Sequence, residues 1–365
     1  MSEITELPTP PAAGQALDAA VSSAPERTRR PARSVPWGSV ALTLLGVVVS
    51  GVGVAALRDG NGWLQLAVVV AGLVLAYVGG GQLLRRRFGA GFDLAAWLCT
   101  TWLVLLLFAA LLAPVLPLGE HQDIAGSLDA PILAAPDLLS PYPLGTNNFG
   151  LDLLSRVIHG ARASLVVSLG AVLIGTVVGA ALGIVSGFFR KTTDVVIGIF
   201  TNSLLAVPPL VLLIALATVL EPSLGNIALA LSLLALPSVI RMARASTLTF
   251  VQREFVLAAR AMGASRMRLM VRELLPNVLL PLASYGMVMI SVLIVAEASL
   301  SFLGLGIQPP NPSWGNMIAE GEGNTFEEHP HIVLVPGVVL FLTVFSLNLL
   351  GEKARKRFDP RQAKL

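Results

Sequence analysis

Eight apolar runs, each near the length of a bilayer crossing, dominate this chain and leave few folds open to it. They lie at about 37–57, 63–84, 94–116, 164–189, 195–219, 227–243, 277–305 and 332–351. A membrane-crossing α-helix needs about 20 apolar residues. Backbone groups in lipid must be satisfied within their own segment, so such runs fold as helices. A transmembrane β-barrel would show ten-residue segments of alternating polarity; these runs are longer and apolar throughout. Charged residues make up 13% of the chain, against roughly 25% in soluble domains. The expected fold class is all-α and polytopic, with about eight transmembrane helices.

The placement of the charges orients these helices. With the N-terminus taken as cytoplasmic and the sides alternating, 22 of the 25 Lys and Arg residues fall in cytoplasmic segments. Only Arg58, Arg156 and Arg162 fall outside. This is the bias of the positive-inside rule, and the reverse orientation would place 22 outside. Both termini are therefore expected in the cytoplasm of a bacterial cell, with the chain multi-pass in the inner membrane.

Residues 1–36 are rich in Pro, Ala and Ser and end in the cluster Arg27, Arg29, Arg30 and Arg33. They read as a disordered cytoplasmic tail. The charged region is too long for a cleavable signal peptide, so the first run reads as an anchor. Residues 37–88 form a transmembrane hairpin, closed by Arg58-Asp59-Gly60-Asn61-Gly62 and followed by Arg85–Arg87. Segment 89–163 holds one span and a long outside loop from 117. Segment 164–351 holds the remaining spans, with a charged loop at 244–276, and 352–365 is a basic cytoplasmic tail. No internal repeat is evident.

The outside loops carry acids: Glu120, Asp123, Asp129, Asp137 and Asp152 in one, Glu320, Glu322, Glu327 and Glu328 in the other. Solvated loops account for them better than a cation site. All four histidines, His121, His159, His329 and His331, are also outside. His329-Pro330-His331 could hold nickel, but two histidines without a third ligand make no metal site, and none is assigned. The single cysteine, Cys99, lies inside a span and excludes an intrachain disulfide.

Within the spans, Gly175, Gly179, Gly183 and Gly187 repeat every four residues, which puts them on one helix face. Such faces let membrane helices approach closely; packing within the chain is the favoured reading over a pore or dimer role. Pro208-Pro209 should kink the fifth span near its middle, and Pro237 and Pro281 suggest further kinks. Asn202 and Glu297 are the polar side chains placed deep in spans and are candidates for the pathway. A buried acid is costly in a membrane and faces a cavity or a partner; Glu297 serves either such a contact or helix packing.

The loop 241–276 carries Arg241, Arg244, Arg253, Arg260, Arg266, Arg268 and Arg272. Phe255, Ala259 and Met262 fall at i, i+4 and i+7, giving a short helix an apolar face. Gly263 permits a turn that other residues disfavour, Ser265 can cap a second short helix, and Pro276 suits the first turn of the next span. An interfacial helix on lipid headgroups and a docking loop for a partner fit this pattern equally.

In the frame Glu254-Phe255-Val256-Leu257-Ala258-Ala259-Arg260-Ala261-Met262-Gly263-Ala264-Ser265, Leu275-Pro276 follows twelve residues after Gly263. It resembles the cytoplasmic coupling loop of ABC-importer permeases. Further stretches resemble the dipeptide, oligopeptide and nickel branch of that family, the DppC/OppC-like proteins. They are Leu144-Gly145-Thr146-Asn147, Arg156-Val157-Ile158-His159-Gly160-Ala161-Arg162, Glu297 to Gly306, Gln308 to Gly315, Asn348-Leu349-Leu350-Gly351 and Asp359-Pro360-Arg361. They occur in family order across 141–361. Two departures stand out. Leu257 occupies the place where the family usually has Glu before Ala-Ala, and Glu273 stands where an aliphatic residue is usual. The hairpin 37–88 looks like an addition to the family's core.

The resemblance implies a type I ABC importer transmembrane fold, a MetI-like core extended by the N-terminal hairpin. It implies a permease subunit for di- or oligopeptides that works with a second related permease, two ABC ATPase subunits and an extracytoplasmic binding protein. The coupling residues it points to are Glu254, Phe255, Ala258, Ala259, Arg260, Gly263, Ala264, Ser265, Leu275 and Pro276. No Gly-x4-Gly-Lys-Ser/Thr motif occurs in the chain, so ATP and Mg belong to the partner ATPase and no cofactor is assigned here. No catalytic constellation emerges, and nucleic acid is not an expected partner. The alternatives are an importer of nickel or another small solute, an ion-coupled secondary transporter, and a membrane enzyme with polar groups gathered at one depth.

Overall fold

Long apolar stretches become long helices. A computed structural model of the chain describes residues 37–56, 62–89, 91–137 and 140–358. The expected N-terminal tail, most of the turn after Arg58, Asp359-Pro360-Arg361 and the last residues of the basic tail lie outside these. Among the described residues the only β-pairing is an isolated bridge between Thr146 and Asp152. The chain divides into two compact units, Met1–Phe92 and Asp93–Leu365.

The first unit is a pair of helices, α1 (Trp37–Ala56) and α2 (Gly62–Phe88). Small residues set their closeness. A Cβ on Gly46 would come within 2.2 Å of the Ala76 amide, one on Gly72 within 2.4 Å of Ser50 Oγ, and one on Gly79 within 2.5 Å of Thr43 Oγ1. Residues 43, 46 and 50 thus meet 79, 76 and 72, so the helices run antiparallel.

The second unit is built on α3 (Leu94–Leu112), α4 (Leu153–Phe189), α5 (Lys191–Ala206), α6 (Pro209–Val219) and α7 (Leu224–Phe250). There follow α8 (Glu254–Ala261), α9 (Leu275–Phe302), α10 (Trp314–Glu320), α11 (Asn324–Glu328) and α12 (His331–Phe358). Among the described residues of both units, six helical segments are long and apolar enough to cross a membrane, or seven if the bent pair α5–α6 is one span. The eighth expected run is α1, a 20-residue apolar helix, near the length of a crossing.

The four-residue glycine repeat explains the centre of this unit. Gly175, Gly179, Gly183 and Gly187 of α4 lie against Ala235, Val239, Ala243 and Thr247 of α7. A Cβ on Gly183 would sit 2.5 Å from that of Ala243. Each glycine meets the residue 60 positions on, so α4 and α7 are parallel and in register. The glycine face is used for packing within the chain.

Parallel α4 and α7 also settle the fifth run. The chain leaves α4 at one end and enters α7 at the other, so α5 and α6 together carry it back across. The kink expected at Pro208-Pro209 is a complete break: α5 ends at Ala206, α6 starts at Pro209, and the two are bent by 89°. Two consecutive prolines remove two donors from the ladder, which breaks the helix rather than bending it.

The core follows from this arrangement. Val167 and Ala171 of α4, Leu231 and Ala235 of α7, and Leu293 and Leu300 of α9 form one buried cluster. Ala180 and Ile184, Val239 and Ala243, and Val278 and Leu282 continue it toward the Arg-rich loop. Helices α3 and α12 flank it; Trp102 Nε1 donates to Thr343 Oγ1 at 3.2 Å, and Lys353 pairs with Asp93.

Three boundaries differ from expectation. The sixth run stays helical to Phe250, so the charged loop proper begins after it and not at 241–244. The fourth run begins as helix at Leu153, not 164, because Asp152 caps it: its carboxylate accepts from the amides of Leu154 and Ser155. Arg156, His159 and Arg162 interrupt the hydropathy but not the helix. The basic C-terminal segment is likewise helical as far as Phe358.

Candidate coupling loop and pathway residues

Helix α7 runs past the core to Phe250 and delivers the chain to α8. Just before that exit, Arg244 reaches Asp194 with both guanidinium branches, Nη2 lying 2.6 Å from Oδ2. Ser186 donates to the same carboxylate at 2.6 Å. The pair and its serine join the last turn of α4, the first turn of α5 and α7 about two turns before its end, so this end of the unit is cross-braced.

Helix α8 packs through Val256, fully buried, and Ala259, 8% exposed, which join Leu269, Met270 and Leu274 in the core. The expected apolar face of Phe255, Ala259 and Met262 is corrected here. Phe255 is 40% exposed and Met262 83%; the face turned inward is the i, i+3 pair Val256 and Ala259. Glu254, Leu257, Ala258 and Arg260 are exposed with Phe255, giving α8 an unpartnered surface of mixed apolar and charged groups.

The Gly turn has a defined geometry. Gly263 has φ +83°, a left-handed conformation that L-residues disfavour. Its amide donates to the Arg260 carbonyl and that of Ala264 to the Ala259 carbonyl, each at 3.0 Å. These are the two bonds of a Schellman motif, which satisfies carbonyls at a helix C-terminus. Ser265 then caps the next turn, accepting from the Arg268 amide at 3.4 Å. The second helix of the loop is not separate: the turn Arg266–Arg268 passes through a π-helical stretch, Leu269–Leu274, directly into α9. The Leu275 amide donates to Met270, five residues back. This shift of the ladder stands just before Pro276, which has no N–H to offer.

The other expected site residues are dispersed. Glu297 lies near the far end of α9, fully buried. Ser164 of α4 donates to one carboxylate oxygen at 2.6 Å, and Ser301 to the other at 2.7 Å. Ser301 also accepts from the Ile307 amide at 3.0 Å. Asn202 is exposed on α5 and accepts from Arg241 Nη2 at 3.0 Å. By the α4–α7 register, Arg241 is level with residue 181 and Glu297 with Ser164. The two candidates are thus about 25 Å apart along the helices.

Sequence reasoning missed a polar knot at the Glu297 end. Glu320, read as a solvated loop acid, forms an ion pair with Arg156, whose side chain is 2% exposed. Asn147 Nδ2 donates to the other Glu320 oxygen at 2.9 Å, and Arg156 Nη1 donates to the His121 carbonyl at 3.1 Å. The knot ties the loop after α3, the Leu-Gly-Thr-Asn turn, α4 and α10. Around it, amides of Asp123, Gln122 and His121 hold the Glu120 carboxyl below its ordinary range. Burial, and the His159 ring stacked on it at 3.6 Å, hold the His121 imidazole low. Among the described residues no group of three or more His, Cys, Asp or Glu could hold a metal ion.

Residues 179–364, which include three of the four glycines of that face, α7, the loop and α9, match the family described as the binding-protein-dependent transport system inner membrane component. The chain belongs to this family. A di/tripeptide transport system permease protein, DppC, from Pseudomonas aeruginosa is 36% identical to this permease over 261 residues, 71% of this chain and 86% of the relative. The dipeptide permease DppC of Haemophilus influenzae is 37% identical over 220 residues, 60% and 74% of the two chains. The glutathione permease GsiD of Pectobacterium atrosepticum is 34% identical over 222 residues, 61% and 73%. An inward-facing structure of the MetNI methionine ABC transporter aligns at a TM-score of 0.48 and 18% identity, over 56% of this permease and 97% of that chain.

Proposed function

We propose that this permease forms one half of the translocation pathway of an ATP-driven importer of di- and oligopeptides. A second related permease forms the other half, two ABC ATPase subunits bind the loop end, and a binding protein delivers solute to the Glu297 end. The carrying observation is α8. Its inner face is packed through Val256 and Ala259 against the π-helical stretch that leads into α9, while Glu254, Phe255, Leu257 and Arg260 stand exposed. A rigid element with an unpartnered mixed face suits a protein that pushes on it, and α8 is built into the base of α9 through the π-helical stretch. The Lys and Arg distribution puts that end in the cytoplasm, with both termini on the same side.

Nickel and other small solutes are the rival cargo, and the substrates named for the relatives favour peptides. Closure of the ATPases on ATP would bias a two-state core between inward and outward access. A membrane enzyme is disfavoured by the separation of Asn202 from Glu297.

Purification of the complex with its binding protein, and mass spectrometry of what comes with it, tests both parts. ATPase subunits and bound peptides are expected. A complex with ATPases but a non-peptide ligand overturns the substrate; uptake that survives loss of the ATPase and follows an ion gradient overturns the coupling.

A further inference from the structure

At the Glu297 end of the second unit, a pocket of about 440 Å³ opens between α4, the start of α7 and the segment after α9. Ala163, Val166 and Ile227 form an apolar wall, and His159 and Arg162 line the α4 side. No acidic side chain lines it. The loops on this side of the chain are otherwise rich in acids, among them Glu120, Asp123, Glu221 and Glu322.

Arg162 is what makes the pocket specific. Of the two arginines at this end among the described residues, Arg156 is consumed by Glu320. Arg162 is exposed and makes no hydrogen bond or ion pair among the described residues. Ser223, which caps the 27-residue α7, also lines the pocket, so the positive end of that helix faces the same space. Asn311 and Gln122, joined at 2.7 Å, supply amide groups opposite. A guanidinium binds a carboxylate through two parallel hydrogen bonds. The volume falls in the range of small-molecule pockets, and the apolar wall suits a short side chain.

We propose that this pocket is a subsite for the free α-carboxylate of a short peptide entering the pathway, with Arg162 as the recognising group. The inference rests on the peptide reading given above and adds where, and by which end, the permease itself first holds the peptide.

The test uses the complete transporter carrying Val166→Cys, a residue on the pocket wall, and an impermeant maleimide. Dialanine and its C-terminal amide are the probes. Dialanine should slow labelling of Val166→Cys, and the amide should not. Adding Arg162→Gln should abolish that protection and lower kcat/KM for dialanine uptake about ten-fold or more, the size of a lost charge-assisted bond. Arg162→Lys, which keeps the charge but not the fork, should fall between. Equal protection by the two probes, or protection that survives Arg162→Gln, overturns the inference. So does normal dialanine uptake with no protection, which leaves the peptide reading intact and makes Arg162 an interfacial anchor or a contact for the binding protein. If the unmodified transporter takes up no dialanine or other peptide, the peptide reading fails and this inference with it.

Discussion

The backbone amide of Ala264 donates to the carbonyl of Ala259 at 3.0 Å, across Gly263 in the left-handed region. This bond closes α8 and sets the direction in which the chain returns to α9. No atom lies within 4 Å of where a Gly263 Cβ would be, so a side chain there meets no neighbour and acts only through backbone strain. Gly263→Val should cost about 1–2 kcal/mol of local stability. The variant should reach the membrane in normal amount but retain less ATPase on purification and lose uptake. Gly263→Asn, which tolerates the left-handed region, should keep most of both. Full transport by a well-expressed Gly263→Val protein would remove the loop from the coupling mechanism.

Arg156 and Glu320 are 164 residues apart in sequence and form a pair whose side chains are 2% and 14% exposed. Breaking such a pair from one side strands a buried charge, at about 3–5 kcal/mol, whereas removing both partners costs much less. Glu320→Leu and Arg156→Leu should each lower the melting temperature and membrane abundance. The double variant should be more stable than the sum of the two predicts. Additive losses in a double-mutant cycle would mean that the two side chains do not act as a pair.

Glu297 takes hydrogen bonds from Ser164 and Ser301 and touches no solvent. Gln offers a carbonyl to one serine and an amide that must find an acceptor, so Glu297→Gln should be mild. Glu297→Leu removes the acceptor of two buried hydroxyl donors at about 1–3 kcal/mol each, so it should destabilise the fold and reduce uptake in proportion to abundance. A Glu297→Leu protein as abundant as the wild type but inactive would instead place the carboxylate in transport itself. Near-normal uptake from both variants would show that neither role matters.

What the sequence made legible were features fixed by local chemistry. The apolar runs gave the helices, the glycine repeat gave a packing face, and Gly263 gave the turn. What it hid depended on residues far apart. Glu320 reads as one loop acid among several until Arg156 is brought to it. The start of α4 was obscured because Arg156, His159 and Arg162 lower hydropathy without weakening a helix that Asp152 caps. The inward face of α8 was misjudged because Phe255 is the larger apolar side chain, yet the tertiary packing selects the smaller pair Val256 and Ala259. The π-helical stretch has no sequence sign beyond Pro276, whose missing N–H shows only that the ladder must change somewhere before it.

The last prediction concerns α1 and α2. Gly46, Gly72 and Gly79 close these helices onto Ala76, Ser50 and Thr43, so the pair satisfies its own small-residue face, and it belongs to a compact unit that ends at Phe92. The family match begins at residue 179. Two crossings return the chain to its starting side, so deleting both leaves the orientation of α3 unchanged, and Arg85–Arg87 remain as its cytoplasmic anchor. A chain starting at about Gln82 behind a new Met should therefore insert correctly, assemble with its partners and support ATP-dependent uptake within about two-fold of the full chain, normalised to membrane abundance. Truncated protein that is abundant and assembled but inactive would make the hairpin a working part of the transporter.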